Sequence, residues 1–226
     1  MKPRSLAHRP CESRPTRDVI LDAAERRFAE RGFAGVSVRE IASDAGLKNQ
    51  ASLYHHFKNK KALYEAVLSR GVEPIIDMVA SAQMPGDVAD PVIDRMVDYL
   101  AARPHLPRLI QRAGLDDTKL LRSTVTKLLG PLYTHGLRVL AGTGGDWDPS
   151  EMPHLAAGLY HLIFGYFANA ALLETVLPED PRSPAALARQ AHFLKMAVAR
   201  LLGPAAAHAG RGRVQPTARA GGTVRR

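Results

Sequence analysis

Residues 38–57, VREIASDAGLKNQASLYHHF, hold a helix, a glycine stop and a second helix within twenty positions, a pattern that requires short helices crossing over one small core. Ser37 with Glu40 three positions on is a capping-box pattern that opens the first of these helices. Val38, Ile41, Ala42 and Ala45 recur at helical spacing, and Gly46 ends the run as a glycine just past a helix does. Residues 50–57 form the second helix, with Leu53 and Phe57 read as core residues that seal the short helices together. Upstream, residues 16–31, with Thr16 as N-cap, carry an apolar stripe of Val19, Ile20, Ala23, Ala24 and Phe28 closed by Gly32. Downstream, a fourth helix starts near Asn59 and runs through Leu63 and Val67, and Pro74 is expected to kink or end it.

Almost everything beyond is helix-period as well. Helices are predicted near 88–102, 105–114, 117–141, 150–176 and 184–202. Their breaks are Pro85-Gly86, Arg103-Pro104, Gly114, Gly142 to Gly145 and Pro178 to Pro184, while Gly130-Pro131 is expected to bend the 117–141 segment. No convincing run of alternating strand residues interrupts them. The chain is therefore read as all-α, with about nine helices: an N-terminal helix-turn-helix domain of three helices and a larger helical domain. The boundaries drawn are a mobile basic arm at 1–15, the helix-turn-helix domain at 16–70, the larger helical domain at 71–203, to which the family resemblance set out below assigns effector binding and dimerisation, and a disordered basic tail at 204–226.

The formal charge of +9 is unevenly placed. Residues 1–70 carry 14 basic and 8 acidic side chains, residues 71–203 carry 12 and 14, and residues 204–226 carry 5 and none. The excess sits with the short helices and the tail, which suits nucleic acid as a partner. Cys11 is the one cysteine, so neither a disulfide framework nor a thiolate zinc cluster is expected, and a reducing, cytoplasmic setting fits. The basic N-terminus lacks the apolar stretch of a signal peptide. Residues 155–173 run 19 positions without a formal charge, nominally enough to span a bilayer. His161, Asn169 and the centrally placed Tyr160 and Tyr166 favour a buried or interface helix instead.

A helix crossing the backbone, followed by one in the major groove, is the helix-turn-helix docking mode. Base readout needs amides and hydroxyls at the start of the second helix, where Asn49, Gln50 and Ser52 lie. Phosphate anchoring needs cations and hydroxyls on the flanks, which Arg39, Lys48, Tyr54, Lys58, Lys60 and Lys61 supply, beside the capping Ser37. Of the adjacent histidines, His55 is placed toward DNA and His56 against the domain or partly solvated. His154 and His161 stand seven apart, too far to share a metal ion without further ligands, and no metal or cofactor site is expected. No nucleophile elbow, P-loop or paired-carboxylate arrangement is present, so the chain is read as not an enzyme.

Together these signs carry a family resemblance. "ILDAAERRFAERGFAGVSVREIASDAGL", then "LYHHF", then "ALYEAV" resemble the N-terminal domain of TetR-type (tetracycline-repressor-like) transcriptional regulators. The resemblance implies that Lys60 is a phosphate-binding lysine and Tyr54 a backbone-contacting tyrosine. Between Gly46 and Leu53 the sequence has six residues, LKNQAS, one more than the common family pattern, which leaves open whether Asn49 or Gln50 takes the base contact. The function expected is a DNA-binding transcriptional regulator, a repressor released from a palindromic operator by a small-molecule effector. A sequence-tolerant nucleoid-type binder without effector, and a helical enzyme fused to a DNA-binding head, are the competing readings. A homodimer through the last two large helices is expected, with Gly158, Gly165, Ala168, Leu187, Ala191, Leu194 and Val198 at its interface. Candidate ligand-lining residues are Tyr99, His105, Leu109, Arg112, Tyr133, His161 and Phe164, a set suited to an aromatic or mildly acidic ligand.

Overall fold

The computed structural model describes residues 15–81, 89–115, 119–142 and 147–202. The predicted tail, Cys11, Pro85-Gly86, the break at 143–145 and the N-terminal arm up to residue 14 lie outside them. Among the described residues there are ten helices and no strand. These are α1 (Thr16–Arg31), α2 (Val38–Asp44), α3 (Ala51–Tyr54), α4 (Lys60–Ala80), α5 (Ala89–Ala101), α6 (Leu106–Leu115), α7 (Lys119–Ala141), α8 (Met152–Ala168), α9 (Ala170–Val176) and α10 (Pro184–Leu202).

Several local expectations need correction. Thr16 is the first helical residue rather than the cap; Pro15 holds the cap position, and its carbonyl accepts the Asp18 amide at 2.9 Å. Pro74 does not end α4, which continues to Ala80. The tenth helix arises because the 150–176 segment divides at Asn169, whose backbone (φ −104°, ψ 22°) leaves the helical region, so that α8 and α9 meet at a 75° bend. Both the backbone amide and the side-chain amide of Asn169 donate to the Gly165 carbonyl, at 3.1 and 2.9 Å. A polar side chain that answers its own turn in this way competes with helix continuation. The apolar run 155–173 is thereby split, and no single helix among the described residues is long and apolar enough to cross a membrane.

Two apolar clusters organise the chain. The first is built from Ile20, Leu21, Phe28, Ile41, Leu53, Phe57, Leu63 and Tyr64, with the Phe28 and Tyr64 rings meeting edge to face at 5.0 Å. The second gathers the far half of α4 with α5, α7, α8 and α10, around Val72, Ile75, Met96, Leu100, Phe164 and Leu194. Helix α6 belongs to both. Its Leu109 and Ala113 enter the first cluster, and its Leu106 and Ile110 enter the second. Helical periodicity allows this, because positions 106 and 110 share one face and 109 and 113 the next.

Helix α4 runs between the clusters, and Gly71 lets α6 close on it. A Cβ at Gly71 would stand 2.2 Å from Leu106 Cδ1, so only glycine fits there. The Tyr99 hydroxyl donates to the Gly71 carbonyl at 2.9 Å, tying α5 to the same turn.

Candidate functional site

Helix α2 starts on a complete capping box. The Ser37 hydroxyl accepts the Glu40 amide at 3.2 Å, and the Glu40 carboxylate accepts the Ser37 amide and hydroxyl, each at 2.7 Å. Arg31 of α1 also donates to this carboxylate, at 2.6 Å. The Ser37 amide and hydroxyl, with the Arg31 guanidinium, hold the Glu40 carboxyl down at about 2. At the other end of α2, Arg27 grips Asp44 through Nε at 2.5 Å and Nη2 at 2.7 Å, with Arg26 at 3.3 Å, and the Asp44 carboxyl falls to about 2. Bidentate arginine–carboxylate geometry fixes orientation as well as distance. Helix α2 is therefore clamped to α1 at both ends.

The turn after α2 aims α3. Gly46 takes φ +69°, its amide donates to Ser43 O at 3.0 Å, and Leu47 donates to Ala42 O at 2.9 Å, a helix-ending pattern that needs a left-handed residue. Asn49 then turns its side chain back on the chain: Oδ1 accepts the Ser52 amide at 3.0 Å and the Ser52 hydroxyl at 3.3 Å. Asn49 thus caps the start of α3. Gln50, one position on, is exposed, with no capping bond from its side chain.

Leu53 and Phe57 point inward and are buried, as read from their spacing. Lys48, Tyr54, His55 and Lys58 are exposed beside Gln50, and Arg39 is exposed on α2. His56 is exposed too, which is the solvated one of its two expected placements. Asn59 caps α4 by accepting the Ala62 amide at 2.8 Å, which sets Lys60 in the first turn. The Lys60 ammonium lies 4.4 Å from the Phe33 ring centroid, and partial burial pushes its pKa down, against the pull of Glu40. Lys61 is 3.7 Å from Glu65.

One exposed cation of this surface escaped the sequence reading. Arg17, at the start of α1, stacks its guanidinium 5.2 Å from the Phe57 ring centroid and so stands beside α3. Forty positions separate the pair, and no local pattern announces it.

Residues 20–67, from α1 through the first two turns of α4, match the family described as "Bacterial regulatory proteins, tetR family". Over 101 residues the chain is 34% identical to the HTH-type transcriptional repressor SCO4008 of Streptomyces coelicolor, covering 45% of this chain and 50% of that protein. The chain thus spans half the length of that relative. It is 27% identical over 177 residues to the YttP protein of Bacillus subtilis, covering 75% and 85% of the two. The solved structure of the SCO4942 protein from Streptomyces coelicolor superposes at a TM-score of 0.59 with 26% identity, covering 84% of this chain and 99% of that one. Residues 20–67 therefore carry the tetR-family regulatory domain. That family is described as one of regulatory proteins.

Beyond the tetR-matched helices, a cavity of about 200 Å³ lies between α4, α5, α7, α8 and α10. Of the residues expected to line it, Tyr133 and Phe164 do. The other five belong elsewhere. Tyr99 is turned onto Gly71 by its hydroxyl, with Arg103 over its ring at 5.1 Å. Leu109 is buried in the first cluster, because α6 presents that face to α1. Arg112 reaches toward Gly32, His105 precedes α6, and His161 is exposed with its ring edge-on to Tyr160. The wall is instead completed by residues such as Ile75, Ile93, Met96, Tyr160 and Ile163. Among the described residues it carries no basic side chain.

The residues expected at a dimer interface also divide. Gly158 is exposed, and Gly165, Ala168 and Leu187 are half-buried. Ala191 and Leu194 are buried in the chain's own second cluster, and Val198 lines the cavity. The outward face of α10 presents Phe193 and Met196 instead, 50% and 42% exposed.

Proposed function

We propose that this protein is a transcriptional repressor that binds a palindromic operator as a homodimer and is released by a small molecule held in the five-helix cavity. The observation that carries this reading is the sharing of α6 between the two clusters, with Leu109 and Ala113 against the DNA-reading helices and Leu106 and Ile110 against the helices that wall the cavity. A ligand that moves α4 or α5 moves Leu106 against Gly71, and α6 carries that shift to α1. In such a dimer the two copies of α3 must lie about 34 Å apart to enter successive major grooves on one face of DNA. A small change in their spacing therefore lowers affinity.

The base-reading surface proposed is Gln50 with His55 and Ser52, flanked by Tyr54, Lys48, Arg39, Arg17 and Lys60 toward phosphates. Asn49 acts through its cap, and Ser37 through the start of α2. The dimer face proposed is Gly158, Gly165 and Ala168 on α8 with Leu187, Phe193 and Met196 on α10. The test is selection from random duplex oligonucleotides with subsequent footprinting. A protected palindrome, preferred by ~10³ or more over random duplex at physiological salt, is the expected result. Binding that shows no such preference sinks the reading.

A further inference from the structure

The five-helix cavity, taken as the effector site, constrains the chemistry of the effector, and the constraint rests on that reading of the cavity. Among the described residues, its wall is made of Ile, Val, Leu, Met, Phe and Ala side chains, with Tyr133 and Tyr160 as the polar ones. None of the described lining residues is Asp, Glu, Lys, Arg or His. An ion entering such a space gives up its hydration and meets no opposite charge, a penalty that only pairing or neutralisation relieves. The described wall therefore offers a carboxylate or phosphate ligand no charged partner.

Size narrows the choice further. A dry apolar cavity of ~150 Å³ holds one benzene-sized molecule, so about 200 Å³ has room for one ring or a fused pair. The space is also kept open by a small residue. Gly136 sits inside α7, where glycine weakens a helix, and a Cβ built there would meet nothing within 4 Å. On the facing helix, Tyr160 stacks on Phe164 at 4.7 Å and stands 5.7 Å from the Tyr133 ring, forming one aromatic wall.

We propose that the ligand of this cavity is an uncharged, mainly apolar molecule of one or two rings, carrying a single hydrogen-bonding group that meets Tyr133 or Tyr160. Flat rings lie against the aromatic wall in offset or edge-on contact, while the one polar group is met by a phenol hydroxyl. Burial, with Tyr133 beside it, pushes the Tyr160 phenol up to about 12, so it remains a neutral donor and acceptor at physiological pH.

The test uses the full chain and three probes of one shape at pH 7: 2-naphthol, naphthalene and 2-naphthoate, read by calorimetric titration and by the thermal midpoint. Saturable binding of 2-naphthol is expected, with 2-naphthoate at least about tenfold weaker. Gly136→Leu fills the open space, so it should abolish 2-naphthol binding without lowering the thermal midpoint. Changing both phenols, Tyr133→Phe with Tyr160→Phe, should weaken 2-naphthol by about tenfold and leave naphthalene unchanged. Naphthoate binding as tightly as naphthol, naphthol binding that survives Gly136→Leu, or no binding of any probe overturns the proposal. Those outcomes leave operator recognition untouched, since that is read by the palindrome selection. Naphthol binding with unaltered operator affinity would sustain this inference and defeat release by ligand.

Discussion

Glu25 Oε2 on α1 accepts a hydrogen bond from Arg70 Nη2 on α4 at 2.9 Å, and Arg103, just before α6, approaches the same oxygen at 3.6 Å. The Glu25 side chain is only 8% exposed, so one buried carboxylate joins α1, α4 and the connection between α5 and α6. Asp22 takes the other Arg70 nitrogen at 2.8 Å. Glu25→Gln keeps the shape and removes the charge. It should lower stability by about 1–3 kcal/mol, read from urea unfolding, because two guanidinium groups lose a charged partner in a largely desolvated place.

Gly71 and Leu106 form the second joint. A methyl group at position 71 would stand 2.2 Å from a leucine with no exposed surface, and neither side can yield cheaply. Gly71→Ala should cost about 1–3 kcal/mol. Combined with Leu106→Ala it should cost less than the sum of the two changes, since the double variant removes the clash. Additive losses would show that the two residues do not press on one another.

Asn49 and Gln50 should fail differently. Asn49→Ala removes the acceptor for Ser52 and should reduce stability by about 0.5–2 kcal/mol, the usual cost of a lost helix cap. Gln50→Ala should leave the unfolding midpoint unchanged but relax discrimination at one base pair by about 1–3 kcal/mol. Gel-shift titrations against operators changed one pair at a time separate the two.

Lys60 should act on DNA without regard to sequence. Lys60→Ala should weaken specific and random duplex alike and reduce the salt dependence, as log K against log salt, by about 1. A loss confined to the operator would move Lys60 from phosphate contact to base reading.

Acid should unclamp α2. The Glu40 carboxyl lies at about 2 against an ordinary 4.5, and that of Asp44 at about 2 against 3.8. Because both folded values are depressed, their stabilisation is complete above the ordinary carboxylate values and is lost as pH falls toward 2. Glu40→Gln and Asp44→Asn should each be less stable than the parent at pH 7 and converge with it near pH 2. A constant difference across that window would mean the pairs do not hold the helix.

The sequence by itself determined the parts whose causes are local. The Ser37–Glu40 box, the Gly32 and Gly46 stops and the inward Leu53 and Phe57 all depend on neighbours within a few positions, and they appear where the spacing puts them. The overall all-helical class comes from periodicity alone. Tertiary structure decided what depends on residues far apart in the chain. Asn49 rather than Gln50 supplies the capping oxygen for Ser52. Arg17 reaches Phe57 across forty residues, and α6 takes two masters because its two faces meet different helices. The side of α10 that faces solvent, and the identity of the cavity wall, obey the same rule. A helix with apolar residues around much of its circumference does not state which of them its neighbours will cover; packing chooses, and it placed Leu194 inside and Phe193 outside.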